Sequence, residues 1–131
     1  MSGLGDAVWA SLPTPALILD GDNCIVEVNP AAEIFLNASR KNLSGALVWD
    51  KLQIDTPLEH SITRVRMSHA PLFVDAVHVG TDTGNKATCD VQISSVVDRA
   101  DHVLMLLGVR QMQGRVNRAM SSKSAAKSAI G

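Results

Sequence analysis

The chain has no tyrosine, two tryptophans and two phenylalanines, so aromatics make up only 3% of its 131 residues. An interior anchored on aromatic rings is excluded, and Leu, Val, Ile and Met must fill it. An apolar fraction of 46% supplies enough of them for one domain with a tail. Few aromatics also means few platforms for stacking bases. Cysteine is as rare: Cys24 and Cys89 fall in segments of strand character, where reduced core thiols are expected rather than a disulfide. The longest apolar run, residues 103–107 continued through Gly108 to Val109, is far short of the roughly 20 residues a membrane-spanning helix needs. The N-terminus has neither the basic region nor the long apolar stretch of a secretory signal. Together these absences lead us to expect a cytoplasmic protein that uses neither membrane nor nucleic acid.

What is present is unevenly charged. The net charge is −1, yet all 13 acidic residues lie at or before Asp101. The segment 102–131 carries Arg110, Arg115, Arg118, Lys123 and Lys127 and no acid. A basic tail suits anionic partners in general, but here the charges alternate with Ser and Ala and no aromatic accompanies them.

The most informative stretch runs from Asp20 to Glu33. Gly21, Asp22 and Asn23 suit a tight hairpin turn. Asn29 then stands where a helix N-cap belongs and Pro30 where the first helical residue belongs, since Pro has no N–H to leave unpaired. Strands are expected over 16–20 and 24–28, a helix over 30–36, and short helical turns over 39–43 and 48–52 joined by Gly45. A longer helix over 57–67 places Leu58, Ile62 and Val65 on one face. Strands follow over 73–79, 86–97 and 102–109. The second of these alternates cleanly, with Cys89, Val91 and Ile93 inward and Thr88, Asp90, Gln92 and Ser94 outward. Before the first strand, Leu4, Val8 and Leu12 recur every four residues as one stripe of a short helix, ended by Pro13 and Pro15. The expected fold is α+β: a five-stranded antiparallel sheet with helices on one face, an N-terminal helix over 1–12, a domain over 13–110 and a linker helix over 111–131, partly disordered.

Strands 16–19 and 103–107 are apolar on both faces. One face covers the helices; the other, with Ile18, Leu104 and Leu106, needs shielding by the N-terminal helix, by a second subunit, or by both. From Val109 the spacing changes: Val109, Met112, Val116, Ala119, Lys123, Ala126 and Ile130 fall at alternating intervals of three and four, the seam of a weak coiled coil. The expected dimer contact therefore comprises Leu4, Val8, Trp9 and Leu12, the sheet residues Ile18, Leu104 and Leu106, and Met112 and Val116 of the linker.

The run from Asp20 to Glu33, with its hydrophobic strand, Ile25-Val26, Asn29 and Ala31-Ala32-Glu33, resembles the opening of a PAS domain. Leu12 to Asp20, Ile25 to Glu33, and the tail from Arg118 to Gly131 are similar to the sensory region of the NtrB family of nitrogen-regulation histidine kinases. The resemblance implies a homodimeric, cytoplasmic input module whose tail leads into a kinase core, in a protein answering to a PII signalling partner. The chain contains no His-Glu-x-x-Asn-Pro box and no G-x-x-x-x-G-K-[ST] phosphate loop, so it carries neither phospho-acceptor nor nucleotide site and is not expected to be an enzyme.

Other chemistry finds little footing. Gly21-Asp-Asn-Cys24 echoes a flavin light-sensor motif, but Cys24 lies at the hairpin and not in the following helix. His60 falls near where haem-binding relatives place an axial ligand, beside Glu59 and Arg64, which suit a solvated face. His69, His78 and His102 form no close metal-ligand spacing; only convergence in space with Cys24 and Cys89 would supply the roughly four ligands zinc needs. The alternative to a dimerisation module is a small-molecule sensor, for a metabolite or haem, with a pocket between the helices of 30–67 and Val77, Val91, Ile93 and Met105; no cofactor is specified by the residues themselves.

Overall fold

The computed structural model describes residues 3–113. In chain order these form α1 (Gly3–Ser11), β1 (Ala16–Leu19), β2 (Ile25–Val28), α2 (Pro30–Leu36), α3 (Arg40–Leu43), α4 (Val48–Lys51), β3 (Leu52–Ile54), α5 (Glu59–Ser68), β4 (Leu72–Thr81), β5 (Lys86–Ser95) and β6 (Val103–Gln113). The strands make one antiparallel sheet in the order β2-β1-β6-β5-β4-β3. The first and last strands thus lie side by side, with Ile18 opposite Leu104 and Ala16 opposite Leu106.

Two expectations are corrected. The sheet has six strands, because Leu52–Ile54 pairs with β4 (Leu52 with Thr81, Ile54 with Val79) as a short edge strand. The last strand runs to Gln113, so Val109 and Met112 are strand residues and not the start of a helix; Gln113 pairs with Lys86 at the far end of the β5–β6 ladder. The rest of the expected linker, with Val116, lies outside the described residues.

The inner face is built as the alternation requires. Cys89, Val91 and Ile93 of β5 and Val103, Met105 and Leu107 of β6 are buried, and so are Leu58, Ile62 and Val65 along α5. With Leu17, Leu19, Phe35 and Leu36 they form one continuous core; each fully buried Leu or Ile contributes roughly 1.5–3 kcal/mol.

Helix α2 is short and is held at both ends. Asn29 adopts extended backbone and its side chain accepts from the amide of Ala32, with Pro30 in the first turn. At the other end Asn37 takes the left-handed conformation (φ 52°) and its N–H returns to Glu33 and Ile34. The carbonyls of Phe35 and Leu36 are taken by the β4–β5 turn: Asn85 Nδ2 donates to Phe35 O (2.8 Å) and Thr83 Oγ1 to Leu36 O (2.9 Å). Asn85→Ala should cost about 1 kcal/mol in urea unfolding, the net worth of one such bond. No change would mean that water serves Phe35 equally well.

Candidate functional site

Side chains on the outer face of the sheet alternate with those of the core, so the register decides what that face presents. One row across it reads Glu27, Ile18, Leu104, Ser94. The next reads Leu106, Gln92, Phe73. Ile18, Leu104 and Leu106 are half-buried and Phe73 is 62% exposed. An apolar centre therefore sits among polar and charged neighbours, including the Glu27–Arg99 ion pair (3.6 Å). Helix α1 packs against α2, and its Trp9 indole donates to Val28 O (3.4 Å) at the end of β2. Val8 on that helix is 55% exposed and Leu12 is half-buried. Of the expected contact residues, the structure joins Ile18, Leu104 and Leu106 on one face and places Val8 and Trp9 on α1, with Leu12 just after it. Met112 lies with the core on the opposite side of the sheet. The Leu4 side chain is outside what is described.

The second feature is the exit end of β6. Strand β1 pairs with β6 only through Leu106, and the amide of Leu107 donates to Pro15 O. Among the described residues, β6 is paired from Gly108 onward on one side only, to β5. Beside this open edge lies a groove of about 630 Å³ lined by Pro13, Ala31, Ile34, Val109 and Met112 among others. Two irregularities flank Asp90 of β5 here. On β4, Asp75 and Ala76 together face Asp90, between the Val74–Val91 and Val77–Cys89 pairs, and Ala76 has φ 56°. On β6, Arg110 is the extra residue between the Cys89–Val109 and Thr88–Gln111 pairs. One carboxylate serves both: Asp90 Oδ1 accepts from Ala76 N (3.0 Å) and Oδ2 from Arg110 Nε (2.8 Å). The Ala76 amide first, and then Arg110, hold the Asp90 carboxyl below its ordinary value. A depressed acid stabilises the fold above its unfolded pKa, so this pair stands through neutral pH and is lost only as pH falls through the lowered value.

Two polar ties hold the layers together. Asn29 is fully buried. Its Oδ1 accepts from both Ala16 N and Ala32 N (2.9 Å each), while Nδ2 donates to Thr14 O (2.9 Å). It thereby joins the α1–β1 linker, the start of β1 and the start of α2. Arg66 of α5 donates to Asp101 O (2.8 Å), Asp20 O (2.5 Å) and Asn23 Oδ1 (2.7 Å), tying the β1–β2 and β5–β6 turns to the helix.

This arrangement has close counterparts. The PAS fold matches residues 3–111. The chain belongs to the PAS fold family. Among curated proteins it is 42% identical over 124 residues to the sensory histidine kinase/phosphatase NtrB of Rhodobacter capsulatus, covering 95% of this chain and 35% of that one. It is 25% identical over 118 residues to the protein of the same name from Azospirillum brasilense, covering 90% and 30%. The chain thus spans about a third of the length of these relatives. Among solved structures, the PAS domain of nitrogen regulation protein NR(II) from Vibrio parahaemolyticus superposes with a TM-score of 0.74 at 24% identity, covering 82% of this chain and 99% of that one.

Among the described residues, no three His, Cys, Asp or Glu side chains are placed to hold a metal. His60 is exposed on α5. Asp55, His78 and Thr88 meet at the β3–β4 edge, but Asp55 Oδ1 accepts from the His78 backbone N–H (3.1 Å) rather than from the ring, whose Nδ1 lies 3.3 Å from Thr88 Oγ1. The imidazole thus has no carboxylate to orient it. Cys89 is buried in the inner face, and burial with the charge of Asp90 pushes its thiol up to about 11. Cys24, part-exposed at the hairpin, is raised by desolvation and by Asp20, Asp22 and Asp50. At pH 8 only about one Cys89 in a thousand is thiolate even before access is considered. A disulfide-exchange reagent should therefore titrate one thiol slowly in the native PAS domain and two after denaturation. Two rapid equivalents in the native state would contradict the buried placement of Cys89.

Phe73, the Asp90–Arg110 pair and the Arg66 tie were not singled out by sequence reasoning. Only Phe73 left a signal there: in a strand with Leu72 and Val74 facing in, it must face out.

Proposed function

We propose that this PAS domain is the sensory and dimerisation module of a cytoplasmic NtrB-like histidine kinase controlling nitrogen assimilation. In this reading two copies meet through the outer face of the sheet, and the chain beyond Gln113 carries their relative state to a kinase core, in a protein influenced by a PII signalling partner. The observation that carries the dimer is the apolar centre at Ile18, Leu104 and Leu106, on the neighbouring strands β1 and β6. The 42% identity to an NtrB relative supports the kinase context. The domain's work is mechanical: two arrangements of the pair need differ by only a few kcal/mol to switch.

A small ligand between helices and sheet is less supported. Val77, Val91, Ile93 and Met105, which would line its pocket, are buried in one packed cluster with Ile62 and Val65. A ligand there must displace side chains already in contact.

Light scattering on residues 1–131 and on residues 1–113 tests the dimer. A dimer of both places the contact within the described domain, and a dimer of the longer chain alone places it in the tail. A monomer of both at high concentration overturns the reading.

A further inference from the structure

We propose that the groove beside the end of β6 is the seat of this chain's own continuation, with Val116 packed between Ile34 of α2 and Met112. Residues 114–131 lie outside those described; what selects them as the occupant is the groove itself, the reach of the chain and its sequence. Only the use of this seat to pass on the state of a dimer rests on the reading above; the seat itself does not.

The groove is apolar and its walls are fixed. It measures about 630 Å³ and is lined by Pro13, Pro15, Ala31, Ile34, Val109 and Met112 among others. The prolines have a locked φ. Helix α2 is capped at both ends by Asn29 and Asn37, and Val109 and Met112 belong to a strand paired with β5. Ala32, Phe35 and Leu36 form the buried face of α2. Ile34 stands off that face and is 78% exposed, and rolling the helix to bury it would break the caps. Val109 is 37% exposed. Two large apolar side chains thus remain uncovered in one preformed groove, which favours an apolar occupant.

The apolar side chain best placed to fill it belongs to the chain itself. Val116 is the first large apolar residue after Met112, which already lines the groove and packs against the core. Four residues on, it lies no more than about 14 Å from Met112 even with the chain fully extended. Gly114 stands between them, and glycine readily takes the positive φ that a reversal of direction needs. A tether this short holds Val116 near the groove at an effective concentration on the order of a millimolar. A second copy or a separate partner would instead lose translational and rotational freedom on docking there. Seated in the groove, the chain leaves the domain alongside α2 and not in line with β6. The groove therefore sets the direction in which whatever follows departs.

Methyl NMR on the isotope-labelled 1–131 chain tests the seat, whether the protein is monomer or dimer. The expected result is an NOE between Val116 and Ile34 within one copy. Val116→Asp should abolish it, shift the Ile34 δ-methyl signal and open that methyl to a soluble gadolinium chelate, while the core signals of Ile62 and Ile93 stay in place as the check on folding. An Ile34 methyl equally open to the chelate in both proteins overturns the proposal. An NOE seen only between labelled and unlabelled copies puts a second copy in the groove and also overturns it. Should Val116→Asp fail to fold, Ile34→Asp decides from the other side: a shifted Val116 methyl supports the seat, and an unmoved one overturns it.

Discussion

Replacing Asn29 by Ala should destabilise the domain by about 3–7 kcal/mol, lowering its melting temperature by roughly 10–30 °C for a domain of this size. Three losses add up. The α2 N-cap goes, at about 1 kcal/mol. The amide of Ala16 and the carbonyl of Thr14 lose their partners inside the fold, at roughly 1–3 kcal/mol each when water cannot reach them. Asn29 is fully buried, so water does not readily replace it. Against a total stability of order 5–15 kcal/mol this is a large fraction. Asn29→Asp separates the roles: a carboxylate still accepts from Ala16 and Ala32 but cannot donate to Thr14, so it should fall between wild type and Ala. Urea unfolding of the three proteins is the measurement. A loss below about 1 kcal/mol for Ala would show that α2 and the linker hold their places without the tie.

That residue also shows how much of the fold is legible in the chain. Asn29-Pro30 announces a capped helix because cap chemistry is local, and the inner face of β5 is legible because period-two alternation is local too. The tie from Asn29 back to Thr14 and Ala16 is not local, and neither is the capping of α2 by Thr83 and Asn85 from a turn nearly fifty residues on. Strand β3 was missed because three residues carry no period; they are strand only because β4 offers them an edge. The misreading at the end of β6 is the most instructive. Val109 and Met112 are three apart, a helical spacing, yet both face the inner side of a strand because the bulge at Arg110 adds one residue between them. A bulged strand can imitate one turn of helix, and only the partner strand reveals which it is. The outer face was legible in part: apolar residues on both faces of β1 and β6 mark Ile18, Leu104 and Leu106, whereas the role of Asp90 depends on bulges in two other strands.

Leu104→Asp should convert the dimer to monomer while leaving the fold intact. Leu104 lies on the outer face, between Ile18 of β1 and Ser94 of β5, and is not part of the helix-side core. In a lone copy the new carboxylate would meet water, and the domain should lose no more than about 1 kcal/mol. In a dimer across this face every substitution counts twice, because a two-fold contact presents the same patch from both copies. Each copy would forfeit roughly 1.5–3 kcal/mol of Leu burial, and each would carry a carboxylate into an apolar centre at a further cost of several kcal/mol. Even the burial term alone, taken twice, comes to about 3–6 kcal/mol, or two to four orders of magnitude in dissociation constant. Light scattering over a hundredfold concentration range, with circular dichroism as the check on folding, measures this. A folded monomer would place the contact on the outer face. A dimer that persists undiminished would remove Ile18, Leu104 and Leu106 from the interface and leave α1, with its exposed Val8, as the surface to test next.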